Sequence, residues 1–285
     1  MNELPKISIV TPSYNQGQFL EETIQSVLDQ NYANLEYIIV DGGSTDNSIE
    51  IIKKYAKHLA YWVSEKDKGQ TDAIVKGLNK STGRYLTWLN SDDTYLPGSL
   101  EAIGNALMQD DDVDVIYGDY IITDKSGKPF WKKREIPFDF DIVLCGVNMI
   151  GQPAAFFSKS IYQAVGGLDI NFHNFMDVEF WLRIAKNGGK FRHVKRFIAT
   201  YRFHGDSKTI KDFAISAQCK KEASLIINKY WSRKTFKNQS IQNCYYQYFR
   251  FINRLKRQYY KIIYRKTIDI IPGKYMVWYF KRFKL

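Results

Sequence analysis

A chain of 285 residues, 45% hydrophobic, has ample material for a core, either as one large domain with an appendage or as two domains. Its net charge of +11 is unevenly spread: residues 230–285 hold 14 Lys/Arg against one acid, Asp269, whereas residues 1–229 hold 27 Lys/Arg against 29 Asp/Glu. Three widely spaced cysteines (Cys145, Cys219, Cys244) exclude a disulfide framework or a zinc site and favour a reducing compartment, and neither a signal peptide nor an apolar run of ~18 residues stands out.

Lys6–Thr11 reads as a first strand, ended by Pro12 and the turn-prone SYNQGQ. Leu20, Ile24, Val27 and Leu28 then recur at helical spacing. Leu35–Val40 is a near-continuously apolar second strand, the pattern of a parallel sheet covered on both faces. DGGSTDNS leads into a helix with Asp46 as N-cap and Ile49, Ile52 and Ala56 inward. Leu59–Val63 is a third strand, SEKDKGQ a loop, and Thr71–Lys80 a helix. The fourth strand (Tyr85, Leu86, Trp88, Leu89) breaks into Asn90, Ser91, Asp92 and Asp93 before Pro97 starts a helix. Alternation at this spacing predicts a right-handed parallel sheet.

After a fifth strand, Val113–Tyr117, the pattern loosens. Lys125–Pro129 reads as a hairpin turn, Phe138–Ile150 as irregular, Ala154–Phe157 as a short strand and Ser158–Val165 as a short helix. Val178, Trp181, Leu182 and Ala185 share one helix face, closed by Gly188-Gly189. Two strands, Phe191–Val194 and Phe197–Phe203, and a long helix, Asp206–Lys229, complete the body.

The acid pair Asp92-Asp93 stands at the carboxyl end of a buried strand, where open α/β sheets bind ligands. Two adjacent carboxylates are costly to desolvate without a cation, and an all-oxygen donor set suits Mg²⁺ or Mn²⁺. The structural alternative is a strand-to-helix turn with Asp93 as N-cap. Thr11, Pro12 and Tyr14 in TPSYNQ can shape a slot for a planar base, or form an ordinary turn. Asp41 in VDGGSTDNS can accept the ring N–H of uracil or thymine while Gly42 and Gly43 admit backbone close to a ligand, or make an Asx-turn. In SEKDKGQTDA, Lys68 can meet donor phosphates and Asp72 sugar hydroxyls, or both can belong to a solvated loop with Asp67. Asp177 and Glu179 open a helix, where the dipole alone favours acids, or Asp177 serves as general base. His204 lies in a loop after a strand.

In order, TPSYNQ, VDGGSTDNS, KDKG, WLNSDD, GGLD, MDVEFWLR and YRFHGDS resemble the family-2 glycosyltransferases over residues 5 to 210. That resemblance implies an inverting enzyme of the GT-A fold: a mixed, Rossmann-like sheet flanked by helices, here with a basic helical C-terminal extension. It implies a nucleotide-diphosphate sugar donor, with UDP favoured, and a hydroxyl of a glycan or lipid-linked acceptor in bacterial surface polysaccharide synthesis. Thr11, Pro12, Tyr14 and Asp41 are expected around the base, and Asp67, Lys68 and Asp72 by the ribose, diphosphate and sugar. Asn90, Ser91 and Asp92 match the acidic metal motif, followed by Asp93; Asp177 matches the catalytic base, and His204 a group near the metal or diphosphate. Three positions depart from the family pattern: Asn90 replaces an acid, Met176 a Glu, and Val75 an Asn.

The expected division is a catalytic domain over 1–229 and a basic aromatic tail over 230–285, where 16 of 56 residues are Phe, Trp or Tyr. Tyr245, Tyr248, Phe249, Ile252 and Leu255 fall on one helical face with Arg250, Arg254 and Arg257 to the side, the pattern of an interfacial helix. Beyond Pro272-Gly273, KYMVWYFKRFKL alternates aromatics with cations. These features predict a cytoplasmic chain peripheral on the inner face of the plasma membrane; the alternative is a basic hairpin packed on the catalytic domain or on a second subunit. A sugar-nucleotide pyrophosphorylase is disfavoured because TPSYNQGQ lacks a basic phosphate loop. A nucleic-acid-binding protein accounts for the tail but leaves Asp41, Asp92 and Asp177 without a role, so no nucleic-acid partner is expected.

Overall fold

The computed structural model describes residues 3–110, 112–205, 207, 217–231 and 239–263. Nine strands form one sheet in the order β3-β2-β1-β4-β8-β6-β9-β5, with β7 paired to β6. The strands β1 (Ile7–Ser13), β2 (Leu35–Asp41), β3 (Tyr61–Ser64) and β4 (Tyr85–Trp88) are mutually parallel. They are joined by α1 (Gly17–Leu28), α2 (Ser48–Tyr55) and α3 (Gln70–Lys80), the predicted βα alternation. Beyond β4 the sheet turns mixed. β8 (Ala155–Ser158) runs antiparallel between β4 and β6 (Val115–Thr123), and β6 makes a hairpin with β7 (Pro129–Lys133).

The two stretches expected as separate strands at 191–203 are one strand, β9 (Phe191–Arg202), parallel to β6. Its polar Lys195-Arg196 step is absorbed as a register shift opposite Gly118 and Asp119. A Cβ at Gly118 would lie 2.7 Å from the Arg196 carbonyl, so glycine is what lets the bulge close. The end of β9 pairs with β5 (Thr94–Tyr95), a two-residue strand that the sequence did not announce. The following helix, α4 (Ser99–Gln109), therefore begins after a left-handed Gly98, and Asp93 does not cap it.

Trp88, Phe157, Phe180 and Trp181 centre one core layer, in which Trp88 stacks on Trp181 of α7 (Met176–Lys186) at 6.3 Å between ring centroids. Ile9, Ile39, Ile103 and Phe156 centre the layer on the other face. Residues 138–150, expected to be irregular, contain α5 (Phe140–Leu144), capped by Asp139; α6 (Lys159–Ala164) follows β8. On α2 the buried pair is Ile51 and Ile52, with Ile49 and Ala56 only partly covered.

Two helices close the described chain, α8 (Ala217–Tyr230) and α9 (Gln239–Ile263). The first part of the helix expected over Asp206–Lys229 lies outside the described residues, as do the side chain of Tyr245, Pro272-Gly273 and KYMVWYFKRFKL. The proposed apolar face of α9 is divided. Phe249 and Ile252 pack on the core of the body, Lys256 pairs with Asp139, and Arg257 donates to the Arg134 carbonyl at 3.1 Å. Tyr248, Phe251, Leu255 and Tyr259 remain on the outside. Among the described residues no helix is long and apolar enough to cross a membrane.

Candidate active site

The loops after β1 and β2 are laced together. The Asn15 N–H donates to Ser44 Oγ at 2.8 Å, and the Thr45 N–H to Asn15 Oδ1 at 2.8 Å. Asp46, expected to cap only α2, receives the Ser48 N–H at 3.0 Å and also the Gly17 N–H of α1 at 2.9 Å. One carboxylate thus caps two helices whose own N-cap side chains do not. Thr11 and Pro12 are buried, with Thr11 Oγ1 3.0 Å from the Tyr37 hydroxyl, while Tyr14 projects outward. A Cβ at Gly42 would stand 2.4 Å from Asp67 Oδ2 and 3.3 Å from Tyr14 Cδ2, so Tyr14 and Asp67 face each other across this glycine.

Asp41 is fully buried. Its carboxylate accepts from the Gly43 and Ser44 N–H groups at 3.0 and 2.8 Å and from the Ser44 and Ser64 hydroxyls at 2.5 and 2.6 Å. Among the described residues Oδ2 takes three of these donors and Oδ1 only the Ser44 hydroxyl, so Oδ1 is the oxygen with an acceptor site left for a nucleobase N–H. Asp67 Oδ1 accepts from the Gly69 N–H at 2.8 Å, which holds the KDKG loop at a positive φ of 110°. Lys68 is exposed, and its N–H donates to Asp72, which also pairs with Lys76.

The NSDD turn holds its two acids differently. Asp93 is buried: Oδ1 accepts the Arg202 N–H at 2.9 Å and Oδ2 the Asn90 amide at 3.2 Å. Burial, reinforced by the Asp92 charge, pushes the Asp93 carboxyl well above the usual range. It faces inward rather than beside Asp92. Asp92 is the outward acid, and its Oδ2 lies 3.0 Å from His204 Nε2. His204 is buried against Phe19, and among the described residues its Nδ1 has no hydrogen-bond partner. Ser91 is buried in the same turn. Arg202 completes the frame, donating from Nε to the Asp92 carbonyl at 2.9 Å and pairing with Glu22 at 2.6 Å. Among the described residues no three His, Cys, Asp or Glu side chains form a ready metal cage. The protein offers one carboxylate and one imidazole, a set that oxygen atoms of a bound diphosphate can complete around a divalent ion.

The amino end of α3 ties this turn to the helix of Asp177. Gln70 Nε2 donates to Asn90 Oδ1 at 2.7 Å. Thr71 Oγ1 donates to the Phe172 carbonyl at 2.9 Å and contacts Met176 Sδ at 3.0 Å. Asp177, half-buried, follows Met176 in the first turn of α7.

The sequence profile described as Glycosyl transferase family 2 matches residues 8–166. The chain belongs to that family. It is 30% identical over 214 residues to TuaG of Bacillus subtilis, a glycosyltransferase assigned to teichuronic acid biosynthesis, covering 72% of this chain and 82% of TuaG. Its fold is that of TarS 1–349 from S. aureus, solved with UDP-GlcNAc, at a TM-score of 0.61 and 15% identity over 80% of this chain and 68% of TarS 1–349. The mannosyltransferase PcManGT from Pyrobaculum calidifontis, solved with GDP-Man and Mn²⁺, aligns at a TM-score of 0.58 and 17% identity, covering 79% and 64% of the two chains.

In this glycosyltransferase the departures from the family pattern have local partners. Asn90 links Gln70 to Gln152, whose amide donates in turn to the Trp88 carbonyl at 2.6 Å. Met176 offers its sulfur to Thr71, and Val75 packs on the core. Gln70, Thr71, Gln152 and Arg202 were not singled out in the sequence. Gln70, Thr71 and Arg202 sit inside quoted motifs, but their partners are distant in the chain.

Proposed function

We propose that this glycosyltransferase inverts the anomeric centre of a nucleotide-diphosphate sugar by a single displacement. The carrying observation is that the amino end of α3 bonds both to the turn bearing Asp92 and to the segment bearing Asp177. Donor and base elements therefore share one frame. Tyr14, Gly42 and Asp67, with Thr11, Pro12 and Asp41 behind them, wall the nucleoside; Lys68 and Asp72 border the diphosphate and sugar. Asp177 takes the proton from an acceptor hydroxyl, whose oxygen bonds to the sugar carbon as its bond to the diphosphate breaks on the opposite face. Asp92 and His204 would hold Mn²⁺ or Mg²⁺, which neutralises charge on the departing nucleoside diphosphate. Asp93 braces the turn from beneath. UDP is the favoured carrier, because a carboxylate at Asp41 can accept the ring N–H of uracil.

The acceptor is proposed to be a growing glycan or lipid-linked sugar of a surface polysaccharide, in keeping with the relationship to TuaG. A lipid carrier would bring the enzyme to a membrane, and the outer stripe of α9, Tyr248, Phe251, Leu255 and Tyr259, suits such a surface. Calorimetry with a panel of nucleoside diphosphates, each with Mn²⁺ and with EDTA, tests the reading. UDP with Mn²⁺ should bind most tightly; no binding by any of them overturns it.

A further inference from the structure

The segment before Asp177 carries three consecutive backbone N–H groups, of His173, Asn174 and Phe175, that converge on one side chain. That side chain is Glu222 of α8, fully buried. Its Oε1 accepts from His173 at 3.0 Å, and its Oε2 from Asn174 and Phe175 at 2.9 and 3.0 Å. Gln218, one turn earlier, steadies Oε1 with an amide donor at 2.8 Å. The N-cap residue of α7, Phe175, has no side-chain acceptor for the helix N–H groups, and an acid is supplied from 47 residues downstream. Burial alone would raise the Glu222 carboxyl, but these donors hold it below the usual range.

The same helix takes a second grip two residues past the base. Lys229 Nζ and the Tyr230 hydroxyl donate to Glu179 Oε1 at 2.7 and 2.8 Å, and Arg183 pairs with its other oxygen at 2.8 Å. From the opposite side, Thr71 holds the Phe172 carbonyl and Met176. The backbone on both sides of Asp177 is thus pinned, by α8 from one direction and by the donor-side helix α3 from the other.

We infer that Glu222 is a positioning residue for the general base: its carboxylate sets residues 173–175 so that Asp177 is aimed at the acceptor hydroxyl. This rests on the proposed role of Asp177. Replacing the carboxylate by an amide turns one acceptor into a donor facing a backbone N–H, which must swing away and take the start of α7 with it. A displacement near 1 Å in a reacting group can cost ~10²-fold in rate. The donor wall of Tyr14, Gly42 and Asp67 is built from the loops after β1, β2 and β3, whose own hydrogen bonds do not run through Glu222.

The test is steady-state kinetics and nucleotide calorimetry on the full chain with Glu222→Gln, Asp177→Asn and the double variant. Glu222→Gln should lower kcat by about 10–10²-fold while nucleoside-diphosphate affinity changes less than about twofold. Because Glu222 acts through Asp177, it should cost nothing further in the Asp177→Asn background. Wild-type kcat in Glu222→Gln, or losses that simply add in the double variant, overturns the inference. If Asp177→Asn itself turns over normally, the base assignment fails instead, and the two failures are told apart. Should Glu222→Gln not fold, Glu222→Asp carries the same comparison: the shortened carboxylate should lose kcat at unchanged nucleotide affinity, and wild-type kcat overturns the proposal.

Discussion

At the scale of single residues, two acids with similar sequence surroundings do different work because one faces inward. Asp93 spends both oxygens on Arg202 and Asn90, whereas Asp92 meets His204 at the surface of the turn. Asp92→Ala should therefore abolish the gain in nucleoside-diphosphate affinity on adding Mn²⁺, measured by calorimetry against the same titration in EDTA. Asp177→Asn should lower turnover by ~10²–10⁴-fold while nucleotide binding persists, since an amide cannot accept the acceptor proton. Near-normal turnover would remove Asp177 from the mechanism. The candidate residues other than Gln152 and Glu222 lay within a legible motif, but motif membership did not distinguish bracing from contact. Whether an aspartate points at ligand or at backbone depends on Arg202, Gln70 and Gln152, which the chain brings from elsewhere.

At the scale of elements, strands with continuous apolar runs were legible, because burial on both faces leaves no other pattern. Short or interrupted strands were not. β5 has two residues, and β9 hides behind the charged Lys195-Arg196 step, which its pairing with β6 tolerates as a bulge. The loop elements make their own predictions. Gly42→Ala would press a methyl onto Asp67 and Tyr14, so nucleotide affinity should fall in calorimetry while the fold persists. At the opposite, amino-terminal end of the parallel strands Glu36 joins β1, β2 and the turn before β4. It accepts from Ser8 Oγ at 2.5 Å, from the Thr82 N–H and hydroxyl at 2.6 Å each, and from Lys6 at 2.9 Å. Burial opposes ionisation, but these donors prevail and lower the Glu36 carboxyl from 4.5 to about 2. A depressed carboxylate contributes stability that is complete above 4.5 and is lost as pH falls toward 2. Urea midpoints should drop across that window in the native chain and much less in Glu36→Gln.

At the scale of the whole molecule, α9 divides between two faces. Phe249, Ile252, Lys256 and Arg257 hold α9 to the body, while Tyr248, Phe251, Leu255 and Tyr259 face outward. Helical periodicity located an apolar face but not which part of it the body would cover, since Asp139 and Arg134 lie more than a hundred residues upstream. Full-length protein should co-sediment with anionic vesicles at low salt and less with neutral ones. The Tyr248→Ser, Phe251→Ser, Leu255→Ser triple variant should remain in the supernatant. Equal sedimentation of the two chains with anionic lipid would remove this stripe from any membrane role. The pairing of Asp92 with His204 also has a consequence for biosynthesis. These residues are 112 positions apart, and Thr94 pairs with Thr200 to bring them together. At synthesis rates of roughly 5–20 residues per second, the ribosome delivers the acid some 6–20 s before its histidine. Early in that interval the parallel half of the sheet can form while the edge of β4 waits for β8, and even after β8 is made the acid still lacks its histidine, so a nascent chain halted before β9 should retain no nucleotide although the loops after β1 and β2 are already made.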